Sequence, residues 1–191
     1  MRWSETLCIG MAGAVWVAAA LAQAPDSAVK RGEYLVAVSS CTNCHTPGHF
    51  RGHEDGSQFL AGSEVGFDDP VKGVVVGPNL TPDKETGLGS WSDQQIVNAM
   101  TRGVLPNGQA LSMAMPWAGL AHLSQSDARA IVAYLRSLPA VKRRTPGPFA
   151  PGTAATVAVL RLTAPSVKGT AAADSPGGGV GSSGGQTSVG K

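Results

Sequence analysis

The sequence predicts a small helical domain with a long loop-rich middle and a low-complexity tail. Helix signals with their own caps stand just after Trp91 and at Ser124. The stretch from Gly48 to Ser90 before them is rich in Gly, Pro, Asp and Thr, and after Thr145 the composition collapses into Pro, Gly, Ala and Ser. With 191 residues, 42% apolar content and 25 glycines there is room for one modest domain, and 5% aromatic residues exclude a large aromatic core.

At the N-terminus a basic Arg2 precedes an apolar or small run from Leu7 to Ala22 that ends in Ala20-Leu21-Ala22, the pattern of an export signal cleaved after Ala22. The run falls short of the ~20 residues of a spanning helix, so residues 1–22 read as a removable signal peptide and the mature chain as periplasmic. Cleavage removes Cys8 and leaves Cys41 and Cys44 as the remaining thiols, a pair that in an exported chain suggests a disulfide first.

The domain is expected over residues 23–144. From Ser27 to about Ser40, Val29, Leu35, Val36 and Val38 alternate with charges without a proline, so a short helix is predicted that delivers the chain into Cys41. The middle reads as loops that wrap something, since a long structureless loop inside a compact domain needs a reason. Ser92 and Gln95 form a capping box ahead of Ile96, Ala99 and Met100, with Gly103 as the stop. A second helix starts at Ser124, with Asp127 at the third position, and runs through Ala128, Ile131, Val132 and Leu135 until Pro139.

Residues 145–191 read as a tail too poor in apolar surface to order itself without a partner, with Thr156 to Leu162 as its one stretch able to form a brief strand. Charge is uneven. From Gln23 to Val141 eight basic residues face eleven acidic ones, a net of −3, whereas Lys142 to Lys191 holds six basic residues and one acid, a net of +5. The basic end that opens with Lys142, Arg143 and Arg144 is therefore expected to act as a docking element outside the fold, and truncation after Val141 to leave the melting temperature unchanged.

Cys41-Thr-Asn-Cys44-His45 has the C-x-x-C-H spacing of covalent haem attachment. Two thiols three positions apart can add to the two vinyl groups on one porphyrin edge while the next residue turns its imidazole to the iron, making His45 the proximal ligand. A thioredoxin-like pair would need a βαβ context. A zinc site from Cys41, Cys44 and two of His45, His49 and His53 is chemically sound but leaves the loop-rich middle without a core, and a plain disulfide is the remaining alternative. Methionine opposite a histidine raises the potential of a haem iron. Met115 is the foremost candidate, because Pro116 favours an extended conformation there and the linker lies between the two capped helices. Met113 would face the other way in an extended linker, and Met100 sits on a helix face, where core packing is usual.

The stretches "RGEYLVAVSSCTNCHTP", "GPNLTPDKETGLGSWSDQQI" and "LSMAMPWAGLAHLSQSDARAIVAYLRSLPAV" together resemble class I c-type cytochromes, in particular the cytochrome c subunits of bacterial periplasmic or membrane-bound dehydrogenases of alcohols, aldehydes and sugars. The resemblance covers about Lys30 to Val141. It implies an all-α fold around one covalent haem c, with the first helix crossing the last so that Gly32 and Tyr34 meet Ala133, Tyr134 and Leu135. It also implies that the Pro78 carbonyl accepts the hydrogen bond of the proximal imidazole's other nitrogen. Trp91, Trp117, Leu80, Leu111, Leu120 and Phe67 are the candidates for an apolar haem envelope, and His49, His53 and His122 are expected to be solvated.

The function implied is a mono-haem electron carrier with His45 and Met115 as axial ligands. It would take single electrons from a donor dehydrogenase and pass them to a respiratory acceptor, without catalysing a reaction itself. Its partners are then redox proteins, with any inner-membrane association made through such a complex and no nucleic acid involved. The alternative is a haem enzyme or ligand-binding protein with a labile sixth ligand.

Overall fold

A computed structural model of the chain describes residues 25–163. The expected signal peptide, 1–22, and the chain beyond 163 lie outside the described residues. Among the described residues there are five α-helices: α1 Pro25–Val38, α2 Cys41–His45, α3 Asp93–Arg102, α4 Trp117–Leu120 and α5 Gln125–Ser137.

The caps read from the sequence are in place. The Ser92 hydroxyl accepts the Gln95 N–H at 3.2 Å while the Gln95 side chain accepts the Ser92 N–H at 2.8 Å, and Gly103 ends α3 at φ 63°. Ser124 accepts the Asp127 N–H at 3.1 Å to open α5. The apolar faces of these helices meet α1 in one core of Leu35, Val36, Ile96, Met100, Ala128, Ile131, Val132 and Leu135.

The α1–α5 crossing is close because Gly32 has no side chain: a Cβ there would lie 2.0 Å from the Ala130 carbonyl oxygen and 2.7 Å from Tyr134 Cβ. Tyr34, expected in the same contact, is instead 57% exposed under the Arg31 guanidinium, which is 5.5 Å from its ring centre and pairs with Asp127 at 2.8 Å. Gly32, Leu35 and Val36 lie on the buried face of α1, and Tyr34, about 160° around the helix from Gly32 and about 100° from Leu35, falls on the exposed one.

The expectation of an all-α fold needs correction. A hairpin of β1 Val65–Asp69 and β2 Gly73–Val76 pairs antiparallel, Gly66 opposite Val76 through Asp69 opposite Gly73, and β3 Ala158–Leu160 adds to β1 in parallel, giving the order β2-β1-β3. On the outer edge of β2, Val74 and Phe149 exchange both backbone hydrogen bonds at 2.9 Å.

The expectation that residues from 145 onward lie outside the fold fails for their first part, which docks on the hairpin; within it β3 falls in the Thr156–Leu162 stretch read as able to form a brief strand, and the compact unit runs to Arg161. The physical reason is that a short strand needs no core of its own when an existing sheet edge supplies its backbone partners. Arg143 is likewise not a free docking charge. Its guanidinium donates to the Gly62 carbonyl at 2.8 Å and to those of Ala61 and Ser63 at 3.3 and 3.4 Å, while Asn79 Nδ2 donates to the Val141 carbonyl at 2.7 Å. Among the described residues no helix is long and apolar enough to cross a membrane.

Candidate functional site

A single left-handed residue, Ser40 at φ 54°, breaks the chain between α1 and the one-turn helix α2. That helix carries Cys41 and Cys44, which are free thiols and half-buried, and ends on His45, which is 6% exposed. Burial pushes the Cys41 thiol up to about 11 and raises that of Cys44 as well.

His45 Nδ1 lies 2.8 Å from the Pro78 carbonyl oxygen. A carbonyl only accepts, so Nδ1 carries the proton and Nε2 presents its lone pair. Burial lowers the imidazole's basicity, partly offset by that carbonyl, which favours the neutral ring that ligates a metal.

The backbone around the motif is closed on every side. The Gly62 N–H reaches the His45 carbonyl at 2.7 Å, the Thr46 hydroxyl accepts the Leu60 N–H at 3.0 Å, and Ser63 bonds to the Gly77 carbonyl at 2.9 Å. Leu60 adopts φ 56°, a left-handed conformation rare for a residue with a side chain, and is fully buried. A Cβ on Gly77 would sit 1.7 Å from the Cys44 carbonyl oxygen, so the strand after β2 can pass behind the motif only as glycine.

Met115 lies in the loop between α3 and α4. Leu111 N–H reaches the Gly103 carbonyl at 2.7 Å, and the Met115 N–H reaches the Ser112 carbonyl at 3.3 Å. Met113 is 68% exposed, Met115 is half-buried, and Met100 is in the core. The loop is hooked to the hairpin by Ser112, whose hydroxyl donates to Asp69 Oδ2 at 2.6 Å. Sequence reasoning passed over Asp69 and Ser112, and read Arg143 as a docking charge outside the fold. For Asp69 a signal existed in Asp69-Pro-Val-Lys-Gly73, a turn pattern flanked by "VGF" and "VVV". For Arg143 and Ser112 there was none, since their partners are distant in sequence.

The residues present fit a haem. Leu80, Trp91, Trp117, Leu111 and Leu120 are half-buried apolar groups, and the Trp117 indole N–H is buried with no hydrogen-bond partner among the described residues. Phe67 stacks edge-on against Phe50, with ring centres 5.8 Å apart. The zinc alternative lacks a ligand set: among the described residues no three His, Cys, Asp or Glu side chains cluster, and His49 Nδ1 pairs with Glu54 at 2.7 Å. His53 and His122 are exposed.

The family model for cytochrome c matches residues 29–139. The chain is 32% identical over 132 residues to the cytochrome c subunit of alcohol dehydrogenase (quinone) from Gluconobacter oxydans (strain 621H), covering 69% of this chain and 26% of that one. It is 39% identical over 112 residues to the gluconate 2-dehydrogenase cytochrome c subunit of Pantoea cypripedii, covering 59% and 23%. To the fructose dehydrogenase cytochrome subunit of Gluconobacter japonicus it is 32% identical over 134 residues, covering 67% and 26%. It thus spans about a quarter of the length of these relatives. Matched over more than half its length and carrying the attachment motif on a helix of its own, this chain belongs to the cytochrome c family, in which haem c is held covalently and serves electron transfer.

Proposed function

We propose that this chain is a mono-haem carrier that accepts single electrons from a periplasmic or membrane-bound dehydrogenase and hands them to a respiratory acceptor. The observation that carries this reading is His45: it is buried, its Nδ1 is held at 2.8 Å by the Pro78 carbonyl and burial favours the neutral ring, which supports Nε2 as the atom that would bind the iron. When bound, haem c supplies a one-electron iron couple. The protein's task is then to hold that centre rigidly.

Cys41 and Cys44 would hold haem c through thioethers. Gly77, Gly62 and Thr46 lock the backbone behind His45, so the imidazole has little freedom to reorient. Met115 would supply the second ligand to the bound haem, and Leu80, Trp91 and Trp117 would screen it from water. With that position taken there would be no place for substrate, and the chain would conduct rather than catalyse.

The likeness to cytochrome c subunits of alcohol, gluconate and fructose dehydrogenases supports a dehydrogenase of that kind as donor. The export pattern in residues 1–22 supports a periplasmic site of action. The test is to mix the oxidised, haem-loaded protein with host membranes supplied with alcohol, gluconate or fructose and follow the haem spectrum. The expected result is substrate-dependent reduction by one electron per chain. A protein that a chemical reductant converts but none of these membranes does would remove the dehydrogenase reading.

A further inference from the structure

The geometry points to Asp69 and Ser112 as a positioning pair that holds the Leu111–Pro116 loop, and with it Met115, on the haem. This rests on the assignment of Met115 as the second axial ligand. Asp69 closes β1, and its two carboxylate oxygens face different ways. Oδ1 accepts the N–H groups of Val71 and Lys72, both at 2.9 Å, which fixes the carboxylate within the hairpin turn. Oδ2 accepts the Ser112 hydroxyl at 2.6 Å across 43 residues of sequence. Both side chains are buried, at 8% and 7% exposure.

A desolvated carboxylate is unfavourable unless its lone pairs are filled, and here three donors fill them, one of them from the distal loop. A hydroxyl donating to a carboxylate is also among the stronger kinds of hydrogen bond in a protein. Ser112 passes this anchor on to the loop. Its Oγ accepts the Ala114 N–H at 3.1 Å, its carbonyl accepts the Met115 N–H at 3.3 Å, and the Met115 carbonyl accepts the Trp117 N–H at 2.8 Å. The backbone from Ser112 to the start of α4 is thus linked step by step to Ser112, through its hydroxyl at Ala114 and its carbonyl at Met115.

The hairpin that carries Asp69 is braced in turn by β3 along β1 and by Phe149 along β2. The C-terminal segment, the hairpin, Asp69, Ser112 and Met115 thus form one mechanical series, so a part of the chain that binds no haem sets how firmly its sulfur ligand is held.

The experiment measures cyanide affinity of the oxidised, haem-loaded protein together with the weak red-end methionine-to-iron band, for Ser112→Ala, Ser112→Thr, Asp69→Asn and Met115→Ala. Ser112→Ala removes the tether and leaves Asp69 its turn, and cyanide affinity is expected to rise about tenfold, the shift that loss of one charge-assisted hydrogen bond produces. Its band should weaken at a temperature where the fold is intact. Ser112→Thr keeps the hydroxyl and should stay near wild type. Asp69→Asn keeps an oxygen for Val71 and Lys72 but removes the charge, and should shift in the same direction by less.

If Met115→Ala raises cyanide affinity while Ser112→Ala and Asp69→Asn leave it unchanged, the tether is overturned and the ligand assignment survives. A lowered melting temperature in those two variants with unchanged affinity overturns the tether equally, because a merely structural bond does not move ligand exchange. If Met115→Ala changes neither signal, the ligand assignment itself fails, and the tether's purpose with it.

Discussion

On the proposed assignment of His45 and Met115 as the two ligands, the two sides of the site are built in opposite ways. Around His45 most contacts run main chain to main chain between segments not adjacent in sequence: Gly62 on the His45 carbonyl, Ser63 on Gly77, Leu80 on Leu60, with Gly77 packed too closely against Cys44 to admit a methyl group and the Pro78 carbonyl on the ring itself. Around Met115 they are local, from Ser112 to Ala114 and Met115, and one side-chain bond to Asp69 reaches outside the loop and its flanking helices. A histidine set in a wall of main chain cannot leave without unfolding its surroundings. A methionine on a short loop can leave at the expense of a few hydrogen bonds. The proximal side is therefore a matter of stability and the distal side a matter of ligand exchange, and substitutions should separate accordingly.

The largest effect expected is on the proximal side. Gly77→Ala drives a Cβ into the Cys44 carbonyl, and overpacking against main chain should cost about 3 kcal/mol or more. A thermal melt followed by circular dichroism should then show a fall of roughly 10 °C, with poor haem loading during expression. A variant that melts normally would break the contrast at its stronger end.

Truncation after Val141 comes next. It removes the Arg143 guanidinium from the carbonyls of Ala61, Gly62 and Ser63, together with the Phe149 and β3 contacts to the hairpin. Hydrogen bonds from a charged group contribute about 1.5–3 kcal/mol, so the melting temperature should fall by several degrees, opposite to what a solvated basic tail would give. Arg143→Ala should reproduce part of that fall, and a melt like wild type in both would return Arg143 to the surface.

A smaller effect is tied to pH. The Ser112 hydroxyl first, then the Lys72 and Val71 N–H groups, hold the Asp69 carboxyl below its ordinary value of 3.8. A carboxyl with a depressed folded-state value stabilises the fold above its unfolded value, and that contribution is lost as pH falls through the folded one. Acid titration of the melting temperature should therefore show an extra loss that begins only below about pH 4 and disappears in Asp69→Asn. The charges that face this carboxylate are Lys72 on the turn and, beside it on β1, the Asp68–Arg161 pair at 3.4 Å. The smallest effect belongs to Met113→Ala, whose side chain is 68% exposed, with a change within about 0.5 kcal/mol and an unaltered spectrum.

What could be read from sequence divides along the same line between local and distant causes. Ser92 with Gln95, Gly103 and Ser124 each specify a helix end through neighbours three or four positions away, and each is where the sequence put it. The attachment motif is likewise complete within five residues. Gly32 was legible as a close approach, but not that Tyr34, two residues on, turns to solvent beneath Arg31.

The hairpin was missed because β1 and β2 are short strands in a segment full of Gly, Pro and Asp; β3 falls in the Thr156–Leu162 stretch read as a brief strand, but its partner β1 is distant in sequence and was not legible. Lys142, Arg143 and Arg144 look alike as a run of charge. Only the fold shows that Arg143 turns inward to three carbonyls while Lys142 pairs at the surface with Glu85 at 2.7 Å.

The central claim, that His45 is fixed and Met115 is the exchangeable ligand, is tested most directly by the reduction potential and red-end spectrum of Met115→Ala beside Met113→Ala. Loss of the sulfur should lower the potential by more than ~59 mV, a factor of ten for a one-electron couple, and abolish the methionine-to-iron band while the haem stays covalently attached. Met113→Ala should change neither. The reverse pattern, with Met113→Ala losing the band and Met115→Ala keeping both band and potential, would contradict the account.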